Sequence, residues 1–147
     1  MSIRLLPWFF AAASLGACTS SSAHDGQLAG PVDYKSSGGF DGGGYGTTAH
    51  ITADGFVSLG PATDSPQLTS DQLAALRTDI DDARFPTLAT TYLGNTTEDY
   101  IDTVTVEIEG ATYTVAASAT ATIPSGLSRV IEDLRGLSDT PPRRGGA

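Results

Sequence analysis

Residues 103 to 116 allow few readings. From Thr103 to Ile108 the chain alternates, with Val104, Val106 and Ile108 on one side and Thr103, Thr105 and Glu107 on the other. That is the period of a half-buried strand. Glu109-Gly110 interrupts it, and Thr112 to Ala116 resumes with Tyr113 and Val115 facing together. The pattern predicts a hairpin, and a hairpin commits the chain to an antiparallel sheet. A second hairpin is expected where Thr47–Ile51 and Gly55–Leu59 flank Ala53-Asp54-Gly55. Val32 to Lys35 opens one more strand, with Pro31 tolerated at its start.

Two helices complete the set. Thr69 followed by Gln72 is a capping box, and Leu68 can staple against Leu73. Leu73, Leu76, Ile80 and Ala83 then form an apolar stripe that stops near Phe85-Pro86. The second helix is expected from near Pro124, with Leu127, Val130, Ile131 and Leu134 on one face and Gly136 as its C-terminal stop. The expected class is α+β: a small antiparallel sheet of about four to five strands, with two helices packed on one face.

Cys18 is the only cysteine, so no intrachain disulfide is possible and stability rests on the core. It ends an apolar run, Leu5 to Leu15, that follows the lone basic residue Arg4. The run has the length of a secretory apolar segment and is too short to span a bilayer. It resembles a bacterial lipoprotein signal peptide, with Leu15-Gly16-Ala17-Cys18 matching the lipobox. The resemblance implies cleavage before Cys18 and attachment of acyl chains, palmitate among them, to that residue. It implies an exported protein, lipid-anchored to the cell envelope. Thr19 in place of Asp after the cysteine implies the outer membrane if the cell is Gram-negative. An ordinary signal peptide cut after Ala17 is the alternative.

The expected organisation is therefore a signal peptide over 1–17 and the lipidated cysteine with a flexible tether over 18–30. A single domain over 31–137 and a disordered tail over 138–147 follow. Removing the first segment takes away Arg4 and makes the chain one charge more negative than its formal −9. Such acidity excludes nucleic acid as a partner, because no basic patch is present to displace counterions. It also excludes electrostatic docking on anionic lipid, so membrane contact falls to the acyl chains on Cys18.

No catalytic or cofactor motif stands out. Ser36 to Gly46 is dense in glycine, but it lacks both the G-x-G-x-x-G register and a following Gly-Lys-Ser/Thr. It is a wide connection with Phe40 dipping into the core, a protein-binding loop, or a small-ligand site. In the second case Ser37, Gly38, Gly39, Phe40 and Tyr45 are the contact residues. Asp79, Asp81 and Asp82, and again Glu98, Asp99 and Asp102, read as solvated acidic faces, since the calcium-loop pattern is missing. His50 is expected on a solvent or half-buried strand face. No G-x-S-x-G or H-E-x-x-H is present, so an enzyme is not expected, and neither is a cofactor or a metal.

Taken together, the domain resembles the emfourin family, protein inhibitors of thermolysin-type metalloproteases. The matching stretches are Ser37-Gly38-Gly39-Phe40-Asp41-Gly42, Leu73–Leu76, Ala83-Arg84-Phe85-Pro86-Thr87-Leu88 and Tyr92. Asp102-Thr103-Val104-Thr105-Val106, Tyr113-Thr114-Val115, and Pro124 with Leu127 and Leu134 continue the match. The chain differs in its lengthened Gly43-Gly44-Tyr45-Gly46 piece and in the lipoprotein anchor. The resemblance implies a non-enzymatic protein that binds a metalloprotease. The alternative is a structural or envelope-associated lipoprotein without inhibitory activity.

Overall fold

β5 (Ile101–Ile108) and β6 (Ala111–Ser118) form the expected hairpin in the computed structural model of the chain. That structure describes residues 27–38, 46–60, 66–95 and 100–139. Glu109 and Gly110 both turn through positive φ, at 53° and 77°. Those angles match the right-handed twist of the flanking strands. β1 (Val32–Ser37) pairs antiparallel with β5 on one side and with β2 (Thr47–Ile51) on the other. β3 (Val57–Leu59) pairs antiparallel with β2 and completes the second expected hairpin.

The sheet is larger than expected, and mixed. A strand of two residues, β4 (Thr91–Tyr92), pairs parallel with the far side of β6 and makes six strands in the order β3-β2-β1-β5-β6-β4. Two residues display no alternation, so the sequence carries no period to reveal them. Pairing is extended by the Ala116 N–H, which donates to Thr90 O at 2.9 Å.

α1 (Ser70–Ala83) starts on the predicted box: Thr69 Oγ1 accepts from the Gln72 N–H, and Gln72 Oε1 accepts from the Thr69 N–H. It ends at Arg84, which takes the left-handed conformation at φ 52°. A 3-10 turn, Phe85–Thr87, drives Phe85 into the core. α2 (Ser125–Asp139) begins after Pro124 but does not stop at Gly136. A glycine inside a helix costs about 1 kcal/mol relative to alanine. Buried Leu134 before it and part-buried Leu137 after it make continuing worthwhile. The two helices meet where Gly126 lies on Ala83, so close that a Cβ there would sit 2.7 Å from Ala83 Cα.

Both helices cover one sheet face. Inward residues are Val32 and Tyr34, Ala49 and Ile51, Val57, Val104 and Val106, Val115 and Ala117, all buried. The other face is polar: Asp33, Lys35, Thr48, His50, Thr103 and Thr105 lie on it. The first acidic run is not simply solvated, although Asp81 is exposed as expected. Arg129 of α2 bridges Asp79 and Asp82 of α1, at 2.9 Å each, so helix packing consumes that charge.

The boundaries also move. Gln27–Gly30 belongs to the domain rather than to a tether. Leu28 is buried and its N–H donates to Ala53 O at 3.0 Å, while Gln27 Nε2 donates to Asp54 Oδ1 at 2.5 Å. One apolar side chain in a polar run gave no period to detect.

Candidate protein-binding end of the sheet

The two ends of the sheet differ in kind. At one end lie the turns Ala53-Asp54 and Glu109-Gly110, together with the segment through which the chain joins β1. At the opposite end β1 finishes at Ser37, across from Ile101, and β2 begins at Thr47. The glycine segment connects them. Its first residues are described: Ser37 is half-buried and Gly38 is exposed, with φ at 138°, where a side chain would be strained. Gly39, Phe40 and Tyr45 lie outside the described residues, as do Cys18, Glu98 and Asp99.

Three exposed apolar residues occupy this same end. Leu93 is 72%, Tyr100 50% and Ile101 37% exposed. They flank the last residues of β6. Ile101 pairs with Ser118, Tyr100 O accepts from the Ala119 N–H at 2.9 Å, and the Gly94 N–H donates to Ser118 Oγ at 2.6 Å. Sequence reasoning missed all three. One signal was available: Ile101 falls in phase with Thr103, Thr105 and Glu107, so an apolar residue stands on the polar side of β5.

Beneath this end lies a buried ion pair. Asp102, which is 2% exposed, corrects the expectation of a solvated carboxylate. Tyr34 Oη donates to its Oδ1 at 2.7 Å, and Arg135 Nη2 donates to its Oδ2. A charge this deep persists only when paired and hydrogen-bonded. The three residues come from β1, β5 and α2, so the pair ties the helix layer to the sheet next to Ile101. Burial, followed by the hydrogen bond to the Asp102 carboxylate, pushes the Tyr34 phenol up to about 12. The hydrogen bond to Asp102 also raises the Arg135 guanidinium above its ordinary value. A phenol so shifted is a poor acid or nucleophile near neutrality, and the constellation works as a clamp.

The open face holds the other polar group. His50 is exposed, as expected, with Nδ1 at 2.7 Å from Asp33 Oδ1. Ser58 pairs with His50 in register, so serine, histidine and aspartate stand in one row across three strands. The row borders a shallow depression of about 330 Å³. His50 and Asp33 side chains are 46% and 58% exposed, whereas hydrolytic machinery works in a water-excluded site with preorganised oxyanion donors. Among the described residues no cluster of three or more His, Cys, Asp or Glu side chains forms a metal site.

No protein-family model matches the chain, and no significant match exists among the curated proteins or the solved structures.

Proposed function

We propose that the protein is a lipid-anchored, non-enzymatic component of the cell envelope that binds another protein through the glycine-segment end of its sheet. The partner class suggested by the emfourin resemblance is a thermolysin-type metalloprotease. The observation that carries the reading is the placement of Leu93, Tyr100 and Ile101, all exposed, at the end where Ser37 and Gly38 leave β1. Exposed aromatic and aliphatic residues at one rim are the chemistry of interface anchors. The clamp beneath them supports the reading, since a fixed rim loses less entropy on binding.

Anchoring is assigned to Cys18. Among the described residues no helix is long and apolar enough to cross a membrane. The Cys18→Ser substitution is expected to abolish lipid labelling and to shift the protein from membrane to soluble fractions. Equal membrane retention would overturn the anchor.

Binding is tested by titrating the chain from Cys18 onward against a thermolysin-type protease. Tyr100→Ser is expected to weaken binding by at least about 1 kcal/mol, as for a typical interface anchor, with the melting temperature unchanged. Affinity for the protease that survives Tyr100→Ser undiminished would remove this end of the sheet as the interface. A chain that does not bind the protease at all is an envelope lipoprotein without inhibitory activity.

A further inference from the structure

The exposed apolar residues Leu93, Tyr100 and Ile101 suit either a protein surface or the interfacial layer of a bilayer, where tyrosine and aliphatic side chains also settle. The geometry of the chain distinguishes these. The inference rests on the reading of Cys18 as the lipidated residue.

The chain joins the folded body at the end opposite to these residues. Leu28 is buried there, bonded to Ala53 O, and Pro31 O accepts from the Glu107 N–H. Gln27 is the first described residue, and Thr19–Gly26 is all that separates it from Cys18. From Cys18 to Gln27 is nine Cα–Cα steps, at most about 32 Å fully stretched. β5 runs from the exposed end at Ile101 to the joined end at Ile108, about 23 Å at the rise of a strand. To stand on its Tyr100 end, the body would need the linking segment to run along its whole length, at a cost in conformational freedom.

Charge adds to the constraint. The joined end carries Asp54, Asp81, Glu107 and Glu109, all exposed, against one half-buried cation, Arg77. Anionic headgroups repel such a surface over about a Debye length, roughly 8 Å at physiological salt. The resulting stand-off uses part of the linking segment and leaves less for inversion. Joined end down is therefore the orientation that restricts the linking segment least.

We infer that the anchored protein turns Leu93, Tyr100 and Ile101 away from the bilayer and offers them to the protease partner proposed above, not to lipid. Phe56, the remaining exposed large apolar residue among those described, follows the Ala53-Asp54-Gly55 turn and faces the bilayer side.

The sequence supplies a clean test, because its only tryptophan, Trp8, precedes Cys18. In the chain from Cys18 onward, Phe56→Trp and Tyr100→Trp each introduce a single fluorescent reporter at an exposed position. Each variant is coupled through the Cys18 thiol to a maleimide lipid. The vesicles are phosphatidylethanolamine and phosphatidylglycerol with a dansyl-headgroup acceptor lipid. Energy transfer is expected to be severalfold stronger from Phe56→Trp than from Tyr100→Trp. Transfer from Tyr100→Trp that equals or exceeds it would overturn the inference. A second measurement uses the Cys18→Ser chain with the same vesicles: it should not float with them, and flotation lost on adding Tyr100→Ser would make the rim a lipid-binding element. Chemical coupling makes both results independent of whether the cell acylates Cys18, which the labelling and fractionation experiment answers separately.

Discussion

Tyr34 and Asp102 are bonded at 2.7 Å although they do not face each other across the sheet. Tyr34 pairs with Val104, and Asp102 pairs with Ser36. The contact is a diagonal one, within reach of a long aromatic side chain, and it leaves the second carboxylate oxygen for Arg135.

Removing one donor from this carboxylate has a definite cost. Tyr34→Phe is expected to destabilise by about 1–3 kcal/mol, the cost of an unsatisfied buried partner. Arg135→Met is expected to cost about 3 kcal/mol, because it leaves a buried charge uncompensated. Urea melts of the two variants measure both. The phenol rises from 10.0 to about 12 on folding, so its contribution is intact below pH 10 and is lost as pH climbs through 12. Alkaline titration of the wild type should show that loss, and Tyr34→Phe should lack it.

The two glycines of α2 should respond oppositely to the same change. A Cβ on Gly126 would meet Ala83 Cα at 2.7 Å, whereas one on Gly136 meets nothing within 4 Å. Gly126→Ala is expected to destabilise by about 1–3 kcal/mol through overpacking of the helix crossing. Gly136→Ala should stabilise by about 0.5–1 kcal/mol through helix propensity. Thermal melts giving the same sign for both would refute the assigned helix contact.

Asp133 sits beside Asp79 on the joined helices, and its carboxyl is raised above the usual range. Partial burial is the main cause, followed by a hydrogen bond to Asp79 and that residue's charge. A carboxyl raised on folding favours the folded state while it is protonated, and the benefit disappears as pH rises through its folded value. Asp133→Asn is therefore expected to raise the melting temperature at neutral pH and to lose that advantage in acid. A variant less stable than wild type at neutral pH would count against the repulsion.

The facing of β5 is testable with three truncations. Leu76 is 2% and Val106 1% exposed, and Leu76→Ala and Val106→Ala should cost about 2–4 and 1–3 kcal/mol. Thr105 lies on the open face, where its hydroxyl meets that of Thr114 at 3.0 Å. Thr105→Ala should cost less than about 1 kcal/mol. Thr105 as the costliest of the three would invert the strand.

What the sequence disclosed follows the strength of its periods. The hairpin of β5 and β6 and the capping box at Thr69 were legible because alternation and capping are local. β4 was not, since two residues carry no pattern and its partner lies more than twenty positions away. Asp102 was misjudged for a related reason. Its acidic neighbours suggested solvent, while its two hydrogen-bond partners come from β1 and α2, separations that no spacing rule encodes. At the exposed end, the glycine segment attracted attention by composition. Leu93 and Tyr100 drew none, because an exposed apolar residue reads like a buried one until its neighbours are placed.

The sheet's outermost strands limit edge-to-edge pairing between copies. Threonine- and valine-rich strands such as β5 and β6 are prone to recruit further strands, and both lie inside the sheet. On one flank β3 is only three residues long, and beside it the Val57 N–H already donates to Pro66 O at 2.8 Å while Phe56 bridges to Gln67. On the other flank β4 offers two residues. Among the described residues neither margin is long enough to template a neighbouring molecule, so the sheet edges do not invite fibrils.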